Sequence, residues 1–357
     1  MEAPTHDVSV LTPVLNEAEH IETAARTMLA QEFPGEVEFL FIDGRSEDDT
    51  VARLERLREE DPRIRILENP ARRTPNGLNV GLAAARGRYV ARMDAHTLYP
   101  ADYLARGVRR LEQGDVSHVS GPQVPEGQGG WSEVAATALG SPLGVGGASF
   151  RTADGGEREV DSGFTGVWDR ETLHRHGGWD EGWPINQDGE LAARIRAEGG
   201  RVVCVSDMAA AYVPRNSPKT LARQYWRYGQ YRVKTSGRHP TSLRRSHILA
   251  PGLALALVAS VVPGRLLPQR AARLGVAAYV LVVLTTSLKL ARGRPDVAAR
   301  LAVVFGAMHL PWGFGFLTGC ARFGAPVEAL SQVLSPGGTR TPPGPAGRTG
   351  DGPGSHG

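Results

Sequence analysis

The sequence predicts an α/β fold, with a mainly parallel sheet flanked by helices and followed by C-terminal transmembrane helices. Three observations support this prediction. Apolar, β-prone runs alternate with charged, alanine-rich runs of helical spacing over residues 8–119. Polar turn residues follow the first two apolar runs, and long charge-free runs are confined to the last third of the chain. Strand and helix in alternation imply parallel strands joined by right-handed crossovers.

The predicted elements follow a regular cycle up to residue 119. Strands are predicted over residues 8–15, 37–42, 64–67, 89–93 and 116–119. Helices are predicted over residues 17–31, 49–60, 74–86 and 100–113. In the third helix, Thr74-Pro75 supplies an N-cap and a first-turn proline, and Gly87 ends the helix.

The middle of the chain is less regular. Glycine, proline and serine dominate residues 121–156, so a long loop that is functional or disordered is expected there. Regular structure is predicted again over residues 160–168, in helices over 171–176 and 188–198, and in a closing strand over 202–205. Residues 218–234 form an aromatic, basic helical pattern, which predicts a helix lying along the headgroup region of a membrane.

The C-terminal third carries three charge-free runs, over residues 248–264, 274–288 and 301–321. A spanning helix needs about 20 apolar residues, which the third run meets, so three transmembrane helices are predicted, with a buried or re-entrant hairpin as the alternative for the first two. The glycine- and proline-rich tail is expected to be disordered. The chain therefore divides into an α/β domain over 1–217, an interfacial helix and linker over 218–247, a membrane region over 248–322 and a tail over 323–357.

Composition limits the partners and the compartment. A formal charge of +3 favours a membrane surface or a phosphorylated ligand over duplex DNA, so no nucleic-acid partner is expected. The two cysteines, Cys204 and Cys320, lie far apart and suggest neither a disulfide framework nor a zinc site. No signal peptide is visible before the first strand, so the α/β domain is expected in the cytoplasm.

Polar turns follow three of the predicted strands. They are residues 12–17, residues 43–50 and the turn Asp94-Ala95-His96. Each turn alone is consistent with ordinary capping of the next helix. Together they lie at the carboxyl edge of one parallel sheet, where such folds bind ligands. They predict a nucleotide pocket in which Asp43 accepts a base N–H and Asp94 faces phosphate through a metal ion.

Five short motifs occur in order along the chain. They are Pro13-Val14-Leu15-Asn16-Glu17, Ile42-Asp43-Gly44-Arg45-Ser46, Asn79-Val80-Gly81, Asp94-Ala95-His96 and Gln187-Asp188-Gly189-Glu190-Leu191. This series resembles the inverting family 2 glycosyltransferases of the GT-A fold, and among them the membrane-attached enzymes of succinoglycan-type exopolysaccharide synthesis. The resemblance covers residues 7–235, and it implies a GT-A-like catalytic, nucleotide-sugar-binding domain.

The resemblance implies a role for each matching residue. The donor-binding residues would be Pro13, Asn16, Glu17, Asp43 and Asp94. Asp94 and His96 occupy the DxD position, which holds a divalent cation on the donor's diphosphate. Because imidazole suits borderline transition metals, Mn²⁺ is favoured over Mg²⁺. The alternative for His96 is a neutral histidine that caps the loop. Gly44 stands where many relatives have a second Asp, which puts strict uridine preference in question.

The resemblance also implies an acceptor side. Asp188 would be the catalytic base and Glu190 a supporting acid, although acids in a first helical turn also stabilise the helix dipole. Gln224 and Arg227 resemble the QxxRW motif, with Tyr228 in the tryptophan position, and an interfacial anchor is the alternative. Acceptor stacking is considered for three tryptophans, with burial in the core as the commoner alternative. They are Trp168, Trp179 and Trp183.

The predicted function follows from the resemblance. It is the transfer of one sugar from a nucleotide diphosphate sugar, expected to be a UDP-sugar, to a lipid-linked saccharide in exopolysaccharide or cell-surface glycan synthesis. The enzyme would sit at the inner or plasma membrane with its catalytic domain facing the cytoplasm, together with other polysaccharide-synthesis proteins. The alternatives are a nucleotidyltransferase, a non-catalytic nucleotide-sugar binder and a lipid-handling scaffold.

Overall fold

The computed structural model describes residues 5–145, 156–261 and 269–335. The strands are β1 (His6–Val14), β2 (Val37–Asp43), β3 (Ile64–Glu68), β4 (Gly87–Arg92), β5 (Thr97–Leu98), β6 (His118–Ser120), β7 (Gln123–Pro125), β8 (Glu157–Glu159), β9 (Gly166–Asp169), β10 (Val202–Val205) and β11 (Ala210–Tyr212).

The helices of the α/β part are α1 (Ile21–Leu29), α2 (Thr50–Glu60), α3 (Thr74–Ala84), α4 (Tyr103–Leu111), α5 (Gly130–Leu139), α6 (Pro142–Val145), α7 (Arg170–Arg175) and α8 (Gln187–Ala197). Those that follow are α9 (Pro218–Arg238), α10 (Ser246–Val261), α11 (Gln269–Ala291), α12 (Pro295–Phe323) and α13 (Val327–Leu334). The predicted tail from residue 336 onward lies outside the described residues.

The main sheet has eight strands in the order β3-β2-β1-β4-β9-β6-β10-β8. β3, β2, β1 and β4 are parallel, as is the pair of β6 and β10, whereas β9 and β8 run antiparallel to their neighbours. This confirms the predicted mainly parallel sheet. The carboxyl ends of β1, β2 and β4 therefore meet at one edge, as the polar turns after them require.

Both faces of the main sheet are covered. All seven residues of β2 are buried, and its side chains alternate between two cores. Phe39 and Phe41 join the core under α1 and α2, whereas Leu40 and Ile42 join the core under α3 and α8. The two-residue period of a strand explains this division, because successive side chains point to opposite faces.

A small second sheet, in the order β5-β11-β7, stands beside the main one. Its strand β7 lies inside the region for which the sequence predicts a long loop. That prediction is wrong for residues 123–125, 130–139 and 142–145, which form β7, α5 and α6. α5 is regular because its apolar face packs on α12, where Val134 and Leu139 share a core with Phe305 and Met308. Tertiary packing thus overrides a poor local pattern. Residues 146–155 lie outside the described part.

α9 packs along α12 with little space between the two backbones. A Cβ on Gly229 would lie 2.1 Å from the Trp312 carbonyl oxygen, and a Cβ on Gly315 would lie 2.1 Å from the Trp226 carbonyl oxygen. Only glycine allows this approach, as at close helix crossings in membranes. We call the contact of these glycines with the opposite helix the glycine seam. The helix predicted to lie along a membrane surface is thereby fixed to the C-terminal helices.

Two of the described helices, α11 and α12, are long and apolar enough to cross a membrane. α11 is largely exposed, with apolar residues such as Leu274, Leu281 and Leu288 on its surface. α10 has 16 residues up to Val261, where the described part of the chain pauses. A protein in water does not leave such apolar surface uncovered, which agrees with the predicted membrane attachment.

Candidate active site

The loops that follow β1 and β2 are held together by polar side chains. Asn16 adopts a left-handed backbone conformation (φ 54°), and its Oδ1 accepts a hydrogen bond from the Glu47 amide at 2.8 Å. The amide of Asn16 donates to Ser46 Oγ at 2.9 Å. The buried Asp43 carboxylate accepts from the Ser46 amide at 3.1 Å. Asn16 thus braces the loop after β2, and Asp43 ends its strand at that loop.

The turn after β4 carries the predicted metal ligands. The amide of Asp94 donates to the Tyr99 hydroxyl at 2.7 Å, and the His96 carbonyl accepts from the Val213 amide at 3.4 Å. His96 Nδ1 lies 3.6 Å from Glu17 Oε1. This nitrogen is buried and has no hydrogen-bond partner in the described part of the chain. The main chain therefore fixes the turn and leaves an imidazole nitrogen free for a ligand.

A cavity of about 180 Å³ opens at this edge of the sheet. Its lining includes three of the five predicted donor-binding residues, namely Pro13, Glu17 and Asp94, and the predicted metal ligand His96. It also includes Gly44 and five residues that the motifs did not single out, namely Asn69, Arg72, Arg73, Arg92 and Arg215. Neither Asn16 nor Asp43 is among the described residues that line it. The cavity brings carboxylates, an imidazole and several guanidinium groups together, which is the chemistry that a metal-bound diphosphate requires.

Asp188 lies at the start of α8 and is connected to the cavity through Arg92, which lines it. Its Oδ1 accepts a hydrogen bond from Arg92 Nη1 and another from Trp179 Nε1 at 3.3 Å. Arg92 Nε donates at the same time to Asp94 Oδ1 at 2.9 Å. Burial raises the pKa of Asp188 to about 6, against the opposing effect of Arg92. A carboxylate tuned to this range is suited to accept a proton near neutral pH.

The loop before α8 is fixed to α3 through Asn79. Asn79 Oδ1 accepts from the Trp179 amide at 2.9 Å, and Asn79 Nδ2 donates to the Trp179 carbonyl at 2.8 Å. The side-chain amide of Asn79 thus pairs with the main-chain N–H and C=O of Trp179 as a neighbouring peptide group would, which favours a single orientation of Trp179. Asn79 therefore positions the tryptophan that donates to Asp188, which gives the Asn79-Val80-Gly81 motif a physical role.

Glu190 is fully buried and is committed to protein partners. Its carboxylate pairs with Arg194 at 2.7 Å, His239 at 3.3 Å and Arg238 at 3.5 Å. Burial alone would raise its pKa, but hydrogen bonds from His239 and Arg194 hold the pKa below its ordinary value. The predicted supporting acid thus supports the site by connecting α8 to α9, and its carboxylate is not exposed to an acceptor.

The aromatic side chains near α8 are mostly buried. Trp168 and Trp179 are each 1% exposed and pack in the core beneath the sheet, which leaves no free face for a sugar. Trp183 is 7% exposed; its Nε1 donates to Thr235 Oγ1 at 3.0 Å, and Lys234 Nζ lies 3.9 Å from its ring centroid. Trp183 therefore anchors the loop before α8 to α9.

Gln224 and Arg227 lie on α9 and do not line the cavity, among the residues that the structure describes. Gln224 Nε2 donates to the Tyr228 hydroxyl at 2.9 Å, one helical turn away. Arg227 and Trp226 are exposed. The structure thus separates these residues from the donor side of the site.

The cavity's donor set fits a divalent cation. Asp94 offers a carboxylate and His96 an unpaired imidazole nitrogen, with the Glu17 carboxylate beside it. Within the described ranges, no cluster of three or more acidic, histidine or cysteine side chains is close enough to hold an ion alone. A site of this kind takes its remaining ligands from substrate phosphates and water, as is common for Mg²⁺ and Mn²⁺.

Comparison with known proteins agrees with this geometry. Residues 9–163 match the model of the family described as glycosyl transferase family 2. The chain is 32% identical over 316 residues to the succinoglycan biosynthesis protein ExoA of Rhizobium meliloti (strain 1021), covering 86% of this chain and 93% of that protein. The chain belongs to glycosyl transferase family 2. It is also 35% identical over 107 residues to the ExoO protein of the same organism, 30% of each chain.

Solved glycosyltransferases share the fold of this family 2 enzyme. The mannosyltransferase PcManGT from Pyrobaculum calidifontis, in complex with GDP-Man and Mn²⁺, is 22% identical with a TM-score of 0.50, over 94% of this chain and 89% of that one. S. aureus TarS 1–349 is 13% identical with a TM-score of 0.51, over 88% and 92%. These similarities confirm a GT-A-like fold, and family membership decides against the nucleotidyltransferase alternative.

Several residues of the site in this family 2 enzyme were missing from the predictions. Arg92 had a visible signal, because an arginine inside an apolar strand needs a buried partner. Asn69 directly follows β3, and Asp43 ends β2, so the position of Asn69 at the same edge of the sheet could also have been predicted. Arg215 had no local signal, since it reaches the cavity only because β11 pairs with β5.

Proposed function

We propose that this enzyme transfers a sugar, with inversion, from a nucleotide diphosphate sugar to a lipid-linked saccharide at a membrane. The observation that carries the proposal is the pair of carboxylates Asp94 and Asp188, which share the Arg92 guanidinium. Asp94 faces the cavity and suits the donor, whereas Asp188 has the burial and raised pKa of a base. An inverting transfer needs these two functions at one edge of the sheet.

The donor nucleotide would occupy the cavity. Asn69 Oδ1 is buried without a partner in the described part of the chain, and the Asn69 amide donates to the Asp43 carbonyl at 2.7 Å. The main-chain bond holds Asn69 in place, and its free Oδ1 would accept a hydrogen bond from an N–H of a nucleobase. Arg73 and Arg215 would contact the diphosphate, because guanidinium groups match phosphate oxygens. A UDP-sugar is the donor we favour.

A divalent cation would be held by Asp94 and His96 beside the diphosphate. When bound, it supplies charge neutralisation for the leaving nucleoside diphosphate. The imidazole favours Mn²⁺ over Mg²⁺. The related fold of the mannosyltransferase that binds GDP-Man and Mn²⁺ supports the same class of ligand here.

The chain's own residues account for the acceptor half of the reaction. Asp188 removes the proton of an acceptor hydroxyl, whose oxygen attacks the donor's anomeric carbon. The bond from that carbon to the phosphate oxygen breaks on the opposite face, and the nucleoside diphosphate leaves with the electron pair. Attack from the opposite face inverts the anomeric centre.

The acceptor and the setting are inferred from the C-terminal helices and from the relatives. α11 and α12 would anchor the enzyme in the inner or plasma membrane, with the catalytic domain on the cytoplasmic side. The name of the ExoA protein of R. meliloti supports a role in exopolysaccharide synthesis, together with other proteins of that process. A lipid-linked saccharide is the acceptor that a membrane-attached enzyme of this kind would meet.

A donor panel tests the proposal. Membranes containing the full chain are incubated with nucleotide sugars and a lipid-linked saccharide extract, and released nucleoside diphosphate is measured. We expect nucleoside diphosphate to be released from one class of donor. This release should be lost in Asp188→Asn and retained in the control Glu198→Gln, because Glu198 lies at the C-terminal end of α8 and its side chain is 62% exposed. Donor binding without Asp188-dependent release from any donor would overturn the catalytic proposal in favour of a binding protein.

The metal assignment has its own test. We expect His96→Asp to lower the ratio of Mn²⁺- to Mg²⁺-supported release several-fold, because a carboxylate replaces a softer ligand. The affinity of the wild-type chain and the variant for Mn²⁺, measured by electron paramagnetic resonance in the presence of UDP, provides a readout apart from turnover. An unchanged preference would assign His96 to capping of the loop.

A further inference from the structure

We propose that Arg92 is a positioning residue that fixes Asp188 and Asp94 relative to one another. The inference rests on the proposed function and goes beyond it, because it assigns a single side chain to the alignment of the donor and acceptor halves. Arg92 would not react with substrate. It would set the direction in which the base meets the acceptor hydroxyl.

The placement of Arg92 is unusual for a strand residue. It is 5% exposed and ends β4, where Val90, Ala91 and Met93 around it are fully buried. Burying a guanidinium without partners is costly, so its position depends on the two carboxylates. One carboxylate comes from the turn after β4 and the other from α8, which lies about a hundred residues later in the chain. Arg92 therefore connects two separately built parts of the site.

The geometry of the guanidinium explains how one residue can align two others. Arg92 Nε donates to Asp94 Oδ1 and Arg92 Nη1 to Asp188 Oδ1, so the two donor groups belong to one rigid plane. A lysine has a single ammonium group and cannot hold two carboxylates in a fixed plane. An Arg-to-Lys change therefore keeps the charge and removes the alignment.

Both hydrogen bonds to the base fall on the same oxygen. Asp188 Oδ1 takes Arg92 Nη1 and Trp179 Nε1, whereas Oδ2 has no hydrogen bond from the residues described. The arrangement occupies one oxygen and, in the proposed function, leaves the other to accept the proton of the acceptor hydroxyl. When a base is displaced by about 1 Å from its productive position, the reaction rate can fall about 10²-fold.

The experiment compares Arg92→Lys and Arg92→Ala with Arg88→Lys and Arg88→Ala. Arg88 lies on the same strand with an exposed side chain over the Tyr89 ring, so its variants control for the strand itself. We expect Arg92→Lys to reduce kcat by about 10²-fold, with little change in the donor KM, since alignment and not donor affinity is lost. The Arg88 variants should retain wild-type kcat.

Two further readouts separate positioning from support of the fold. Added guanidinium should raise the kcat of Arg92→Ala at least about tenfold, because Arg92 lines the cavity and its removal leaves a space that the ion can enter. Urea, which has a similar shape and no charge, should not. Binding of the nucleoside diphosphate released from the best donor, measured by calorimetry, should remain within a few-fold of wild type in Arg92→Lys.

The outcomes are distinguishable from failure of the proposed function. If the wild-type chain releases nucleoside diphosphate from no donor, the proposed function itself is wrong, even if calorimetry detects nucleotide binding. If the wild-type chain is active and Arg92→Lys keeps its kcat, the positioning role is wrong. In a third outcome, guanidinium does not restore the lost kcat, and nucleotide binding and thermal stability fall equally. Arg92 would then only stabilise the fold.

Discussion

The donor side and the acceptor side of the site are built differently. The donor cavity is lined by polar atoms without partners among the described residues, such as His96 Nδ1 and Asn69 Oδ1. On the acceptor side, Asp188 and Glu190 are buried and already paired with protein groups. The donor side is therefore completed by its ligands, whereas the acceptor side is assembled by the protein before any ligand binds. Changes on the donor side should reduce affinity, and changes on the acceptor side should reduce rate.

The largest effect is expected on the acceptor side. Asp188→Asn removes the proposed base while preserving its shape, and kcat should fall by about 10²–10⁴-fold, the usual contribution of a general base. The donor KM should change little, because Arg92 is the cavity-lining residue that hydrogen-bonds to Asp188 in the described part of the chain. Steady-state release of nucleoside diphosphate checks both quantities. A large rise in donor KM with kcat preserved would place Asp188 on the donor side and remove the contrast.

The matching change on the donor side is Asp94→Asn. Loss of a charged metal ligand should weaken Mn²⁺-dependent nucleotide binding at least about 100-fold, because even the outer partners of metal ligands contribute 10–100-fold. Calorimetric titration with UDP, with and without Mn²⁺, measures the effect directly. Glu47→Gln, a change to an exposed acid of the neighbouring loop, is the control. If nucleotide affinity is unaffected by Asp94→Asn, the cation does not bind there.

The pH dependence sharpens the contrast from the acceptor side. The base must be ionised to work, and the pKa of Asp188 is raised to about 6. Activity should thus be maximal above pH 6 and should fall with acidification, to about a tenth of the plateau one pH unit below the pKa. The profile of kcat/KM reports this ionisation. Nucleotide affinity measured over the same range is the control, and a profile that stays flat between pH 5 and 7 would contradict the assignment.

A smaller effect is expected from Asn79→Ala, which releases the loop before α8. Two hydrogen bonds to the Trp179 main chain are lost, so the free energy of unfolding should fall by about 1–3 kcal/mol. We expect a lower kcat with unchanged nucleotide affinity, because the loop serves the base alone. Denaturant unfolding and calorimetry test this. Asn76→Ala is the matched control, since the side-chain hydrogen bond of Asn76 to a described residue goes to the exposed Glu181 side chain and not to the Trp179 main chain. Weakened nucleotide binding in Asn79→Ala would show that the two sides are not independent.

The sequence predicted the donor side better than the acceptor side. Strands β1, β2 and β4 can be recognised from their local apolar patterns, and each is directly followed in the sequence by polar residues. A parallel sheet brings the ends of these strands together by topology alone. Pro13, Glu17, Asp94 and His96 accordingly all line the cavity. The same reasoning extends to Asn69, which directly follows β3.

The acceptor side depends on contacts between distant parts of the chain, which no local pattern encodes. Glu190 was predicted as an acid near the acceptor, yet His239 and Arg238 from the end of α9 engage it. Residues 130–139 lie between glycines, Gly127 and Gly129 before them and Gly140 after them, which weaken a local helical prediction. They form α5 because α12 offers an apolar surface. Such pairings follow from packing energy, which is summed over the folded molecule.

The glycine seam fixes the position of α9, and of the site attached to it, along α12. α9 is joined to the loop before the base through Lys234 and Trp183, and its backbone touches that of α12 at Gly315. With α12 crossing the membrane as proposed, the base stands at one height above the bilayer surface. In the proposed setting, the enzyme would reach only an acceptor whose terminal sugar extends to that height, so we expect glycan length to limit the choice of acceptor together with glycan chemistry.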